Sequence, residues 1–144
     1  MLRVHSVTLD IKRVNGKIHR AISNLCREGN LDITPVQGRL LMYISDHDEV
    51  TATDILEELK SVNKSTLSEV LNGMEKNHLI ERIESKTDSR KKLIVLTEVS
   101  KDIVLHMKKD FERVNKIALK DITPDEYNTF SEVLEKIGRN MDNL

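Results

Sequence analysis

The side chains of this chain best placed to do chemistry fall in two short runs. One is Lys64-Ser65-Thr66-Leu67-Ser68, continued by Asn72 four residues on; the other is Asp88-Ser89-Arg90-Lys91-Lys92. Short hydroxyls and an amide are groups that approach base edges closely, and a lysine reaches guanine or a phosphate. Asp88, two residues before Arg90, can hold the guanidinium in one direction through a charged hydrogen bond. The surrounding charge is uneven in the same sense. Lys60 to Lys92 holds eight basic residues against five acids, a net +3, while the rest of the chain holds 15 against 19, a net −4. A chain of formal charge −1 can therefore still present a local cationic face to a polyanion.

Other chemistries lack their residues. His5, His19, His47, His78 and His106 are scattered, with no His-x-x-x-His or Cys-x-x-Cys spacing, so no metal site is expected. His47 lies in the acidic loop Asp46-His47-Asp48-Glu49 and reads as a solvated side chain. Cys26 has no partner for an internal disulfide, fits a reducing cytoplasm, and is expected to be a small buried residue. No Ser-His-Asp order, phosphate-binding glycine loop or paired carboxylates point to catalysis, so neither an enzyme nor a cofactor is expected. With 144 residues the chain makes one ordinary domain, and its 3% aromatic and 33% charged residues suit a helical, water-facing protein. No apolar run approaches the roughly 18 residues of a membrane span, and the start of the chain carries no apolar signal core.

The elements that must position these groups follow from periodicity. Val4, Val7, Ile11, Val14, Ile18, Ala21 and Leu25 alternate in steps of three and four, the stripe of a long first helix that something must cover. Gly29 and Asn30 stop it. Thr34, Pro35 and Gln37 form a capping box for a second helix over Val36 to Ser45. A short helix is expected over Thr51–Lys60 and, after the turn Ser61-Val62-Asn63, a longer one over Lys64–Lys76 capped by Asn63. Leu67, Val70, Leu71 and Met74 give that helix one buried face, leaving Lys64, Ser65, Ser68, Glu69 and Asn72 outside. This is a helix-turn-helix pattern. Leu79–Ile83 and Leu93–Thr97 then read as strands around the charged tip Glu84–Lys92, a hairpin wing. Two helices close the chain, one over Ser100–Lys120 and one beginning at Thr123-Pro124, with Tyr127, Phe130, Val133 or Leu134, Ile137 and Met141 on its face.

Taken together, residues 51 to 97 resemble the winged helix of MarR-family transcriptional regulators. The likeness rests on Thr51-Ala52-Thr53-Asp54-Ile55, Asn63-Lys64-Ser65-Thr66-Leu67-Ser68, Leu79-Ile80-Glu81-Arg82, Asp88-Ser89-Arg90 and Leu96-Thr97-Glu98, in that order. The expected fold is mainly α with a small β-hairpin wing, a winged helix-turn-helix over 34–98 flanked by dimerisation helices over 1–30 and 100–144. Glu69 stands where the family usually has a basic residue, and His78 replaces a usual glycine, so Asn77 or His78 is expected to take a positive φ.

The resemblance implies a homodimer binding double-stranded DNA at a pseudo-palindromic operator, as a repressor released by a small-molecule effector. Lys64, Ser65, Thr66, Ser68 and Asn72 would face the major groove, with a phosphate on the free N–H groups of the first turn. Arg90, oriented by Asp88, would enter the minor groove, with Lys91 and Lys92 on flanking phosphates. An effector pocket would be lined by His19, Arg39, Met42 and Tyr43, unless these are ordinary packing between helices. The alternative is a helical dimer that binds no DNA and uses the winged helix as a protein-interaction module.

Overall fold

Polar caps set where this chain enters its helices. The computed structural model describes residues 6–29, 31–60 and 62–143. Val4 of the first stripe, His5, Asn30 and Ser61 lie outside the described residues. Helix α1 spans Ser6–Glu28 and α2 spans Pro35–Asp46, the latter with the expected box between Thr34 and Gln37. Helix α3 is shorter than its periodicity predicts, Ala52–Glu58, because Thr51 stands outside it as the cap and pairs reciprocally with Asp54. Helix α4, Lys64–Lys76, begins at Asn63, whose Oδ1 accepts from the Thr66 N–H at 2.8 Å.

Both strands sit one residue away from their predicted positions, and the caps explain why. Strand β1 is Ile80–Glu84, not Leu79–Ile83, because the Leu79 N–H still donates to the Met74 carbonyl of α4 at 2.9 Å. His78 precedes it with φ 57°. The His78 N–H bonds to the Glu75 carbonyl, so these two bonds make a Schellman closure of α4. Strand β2 is Lys92–Leu96, because Thr97 is already the cap of α5, Glu98–Ala118. Thr97 Oγ1 also donates to the His78 carbonyl at 2.8 Å, which joins the end of α4 to the start of α5. The strands pair antiparallel from Ile80 opposite Leu96 to Glu84 opposite Lys92.

Leu40 and Leu41 of α2, Ile55 of α3, Leu71 and Met74 of α4 and Ile80 of β1 are fully buried and form the centre of the core. The Ile94 N–H donates to the Val50 carbonyl at 2.7 Å, so the wing is tied to the residue leading into α3. Helix α5 packs on α1 and α2. Gly38 lies at that contact, where a Cβ would stand 3.0 Å from Met107 Cε, the flexible end of its side chain.

The outer helices are left unfinished. Neither α1 nor α6, Pro124–Asp142, contains a buried residue. Val7, Ile11, Val14 and Ile18 on α1, and Tyr127, Phe130, Val133 and Leu134 on α6, are all exposed. Helix α6 touches the rest of its own chain only marginally. A protein helix draws most of its stability from packing its amphipathic face, so the apolar face of α6 calls for a partner surface. No described helix is long and apolar enough to cross a membrane.

Candidate nucleic-acid interface

Burying Leu67, Leu71 and Met74 turns the opposite side of α4 to solvent. Lys64, Ser65, Thr66, Ser68, Glu69 and Asn72 are all exposed there. The first turn has less capacity for a phosphate than the sequence implies. Thr66 gives its N–H to Asn63 Oδ1 and Leu67 gives its N–H to the Asn63 carbonyl, which leaves only the two N–H groups ahead of them. Asn72 is also engaged: its Oδ1 accepts from Arg82 Nη2 at 2.9 Å, and Arg82 Nη1 pairs with Glu75. Arg82 lies on β1, ten residues from Asn72. No periodicity within either element marks a helix-to-strand contact, so the sequence pattern assigns Arg82 no partner on α4.

The wing tip is built around a serine. Ser85 is buried, and its hydroxyl accepts from the backbone N–H groups of Thr87 and Asp88. Lys91 N–H closes the turn on the Asp88 carbonyl at 2.9 Å. Asp88 Oδ1 then accepts from both the Arg90 backbone N–H, at 3.0 Å, and Arg90 Nε, at 3.2 Å. The Arg90 backbone bond, then its side-chain bond, hold the Asp88 carboxyl below its usual value. The Arg90 side chain remains 89% exposed, so the carboxylate steers it without covering it. Lys91 is exposed beside it, whereas the Lys92 ammonium is 2.9 Å from Glu84 across the hairpin. The Lys92 hydrogen bond lowers the Glu84 pKa. Lys92 therefore has a carboxylate partner across the hairpin while its side chain stays exposed.

His19, Arg39, Met42 and Tyr43 all lie on one cavity of about 640 Å³ enclosed by α1, α2, the end of α3 and α5. Its walls are mostly apolar, with Arg27 as a second guanidinium. Cys26 lines it too and is half-buried rather than buried. Burial, then the Asp110 carboxylate, raise its thiol pKa, which disfavours a reactive thiolate. Tyr43 stacks on His47 with ring centroids 4.2 Å apart, and His47 Nδ1–H donates to the Tyr43 carbonyl at 2.8 Å. His47 is exposed as expected, yet it has a fixed seat on that ring.

Comparison with known proteins agrees with this geometry. A model of the MarR family matches residues 31–91. The uncharacterized HTH-type transcriptional regulator YybA of Bacillus subtilis (strain 168) is 24% identical over 135 residues, which cover 92% of this chain and 89% of YybA. The heme sensor protein PefR from Streptococcus agalactiae, solved with heme, is 25% identical with a TM-score of 0.65 over 96% of this chain and 95% of its own. The S. aureus MepR–DNA complex has the same fold, with a TM-score of 0.78 at 22% identity over 93% of this chain and 97% of MepR. Residues 31–91, which hold the capped α4 and the hairpin tied to it, match the MarR family, and the chain resembles regulators of this winged helix-turn-helix fold along nearly its whole length.

Proposed function

We propose that this chain is a sequence-specific double-stranded DNA-binding repressor that acts as a homodimer on a pseudo-palindromic operator and responds to a small-molecule effector. The observation that carries this reading is the wing tip: an almost fully exposed Arg90 with its direction set by Asp88. An outward guanidinium of fixed direction suits a narrow minor groove, where negative potential is concentrated. The polar side of α4 suits the neighbouring major groove. The exposed apolar faces of α1 and α6 support a symmetric dimer, which would present two recognition helices to two half-sites about one helical turn apart. The cavity falls within the usual size of ligand pockets, roughly 300–1,000 Å³. Apolar walls with Arg27, Arg39 and His19 suit an apolar ligand carrying negative charge. PefR, a heme sensor, is a precedent for ligand control in this fold.

The test is fluorescence anisotropy with two labelled duplexes, the region upstream of the chain's own gene and a scramble of it. A preference for the upstream duplex of about a thousandfold or more is expected. Absence of affinity for either duplex would instead favour the protein-interaction module, for which the exposed Glu69 on α4 is the supporting observation. Addition of hydrophobic organic anions to the bound complex then tests release.

A further inference from the structure

Arg82 reaches from β1 to the recognition helix and holds two of its side chains at once, Glu75 through Nη1 and Asn72 through Nη2. Arginine has donors only, so the atom of Asn72 that faces it must be the amide oxygen. That settles an orientation which the shape of an amide alone leaves as two choices. Both N–H groups of the Asn72 amide nitrogen are thereby left off Arg82, on a residue that is exposed. Ser65, Ser68 and Asn72 follow at intervals of three and four and so share one face. Glu75 and Arg82 are both partly buried, which keeps the guanidinium in place.

Resting on the DNA-binding reading above, we infer that Arg82 is a positioning residue that makes Asn72 a donor-only contact in the major groove. A free asparagine recognises adenine through both amide atoms, Oδ1 accepting from N6 and Nδ2 donating to N7. With Oδ1 turned toward Arg82, only the donors face the base. Adenine and guanine offer N7, guanine also O6, and thymine O4, so three bases satisfy an outward N–H. Cytosine presents a donor there and leaves the contact unmade. Asn72 thus discriminates by rejecting cytosine, and the residue that sets this rule sits on the wing strand.

The experiment is selection of bound duplexes from a randomised pool by the full-length wild type and by the Asn72→Asp and Arg82→Lys variants, each first checked for cooperative melting. The carboxylate that Asn72→Asp introduces keeps one oxygen on Arg82 and turns the other outward. That variant should change one position per half-site from cytosine-poor to cytosine-rich, by tenfold or more. Arg82→Lys keeps a cation for Glu75 but loses the fork that reaches Asn72, and the same position should sharpen to adenine. The remaining positions should not change in either variant. Wild-type selection of a defined site with an identical base profile in both variants would overturn this inference and leave the DNA-binding reading standing. Failure of the wild type to select any site would overturn both.

Discussion

Truncating Phe130 to alanine should break the dimer while leaving each protomer folded. Phe130 lies on α6 and is 57% exposed. A phenylalanine presents roughly 200 Å² when fully open, so about 115 Å² of this one is available to a partner. Removing the ring while keeping Cβ forfeits about two-thirds of that area, or about 2 kcal/mol at ~25 cal/mol per Å². A two-fold interface contains the residue twice, which makes about 4 kcal/mol per dimer and a dissociation constant raised roughly a thousandfold. Fluorescence-detected sedimentation over nanomolar to micromolar protein measures this directly. The wild type should sediment as a dimer across the range, and Phe130→Ala should dissociate within it, losing at most the helical signal of α6. Val36→Ala is the control, because Val36 is also exposed but lies on α2 and not on α1 or α6. Equal dissociation constants for wild type and Phe130→Ala, or a wild type that is monomeric at micromolar concentration, would refute the assignment of the α6 face.

Arg90→Ala should weaken duplex binding by about 1–3 kcal/mol in anisotropy titrations and leave the sedimentation coefficient alone. His78→Gly should stabilise the chain by up to about 1 kcal/mol in urea unfolding, because His78 holds a positive φ. A left-handed residue with a Cβ costs roughly 1–2 kcal/mol, and the extra freedom of glycine in the unfolded chain returns part of that. Thr51→Ala should cost about 1 kcal/mol, the usual value of a lost N-cap. The same cap has a pH signature. The Thr51 side-chain bond, then its backbone bond, depress the Asp54 pKa below its ordinary 3.8. Stability from this link is complete above the unfolded pKa and is lost as the pH falls through the lower folded value. Asp54→Asn should therefore flatten the acid limb of a stability-against-pH curve below about pH 4.

Local signals in the chain carried far. Thr34-Pro35-Gln37 marked a capping box and Asn63 a cap, because each is settled by hydrogen bonds among residues three apart, whereas the positive φ near His78 was implied by the resemblance, which has a glycine there. The wing's Asp88–Arg90 pairing was legible for the same reason, the two residues being two apart. What escaped were contacts between elements. Thr97 on the His78 carbonyl, Ile94 on Val50 and Arg82 on Asn72 join segments distant in sequence, and no periodicity encodes them. They fasten α5 to the end of α4, anchor the wing and orient an amide. Lys92 shows a similar limit: the wing reading placed it on a flanking phosphate, and the register adds a partner, Glu84, that the sequence did not indicate. Charge counts register how many cations a segment has, and only strand pairing decides which of them gain a carboxylate partner.

The salt dependence of binding to the upstream duplex is the measurement to make first. Lys64, Arg90 and Lys91 are exposed on each protomer, so a dimer would bring about six cations to the duplex. Counterion release then gives a slope of log affinity on log salt of about −5. The predicted result is that slope on the upstream duplex, with Arg90→Ala reducing its magnitude by about 1–2 per dimer. A slope near zero, or the same affinity for the scramble at every salt concentration, would contradict a DNA-reading dimer.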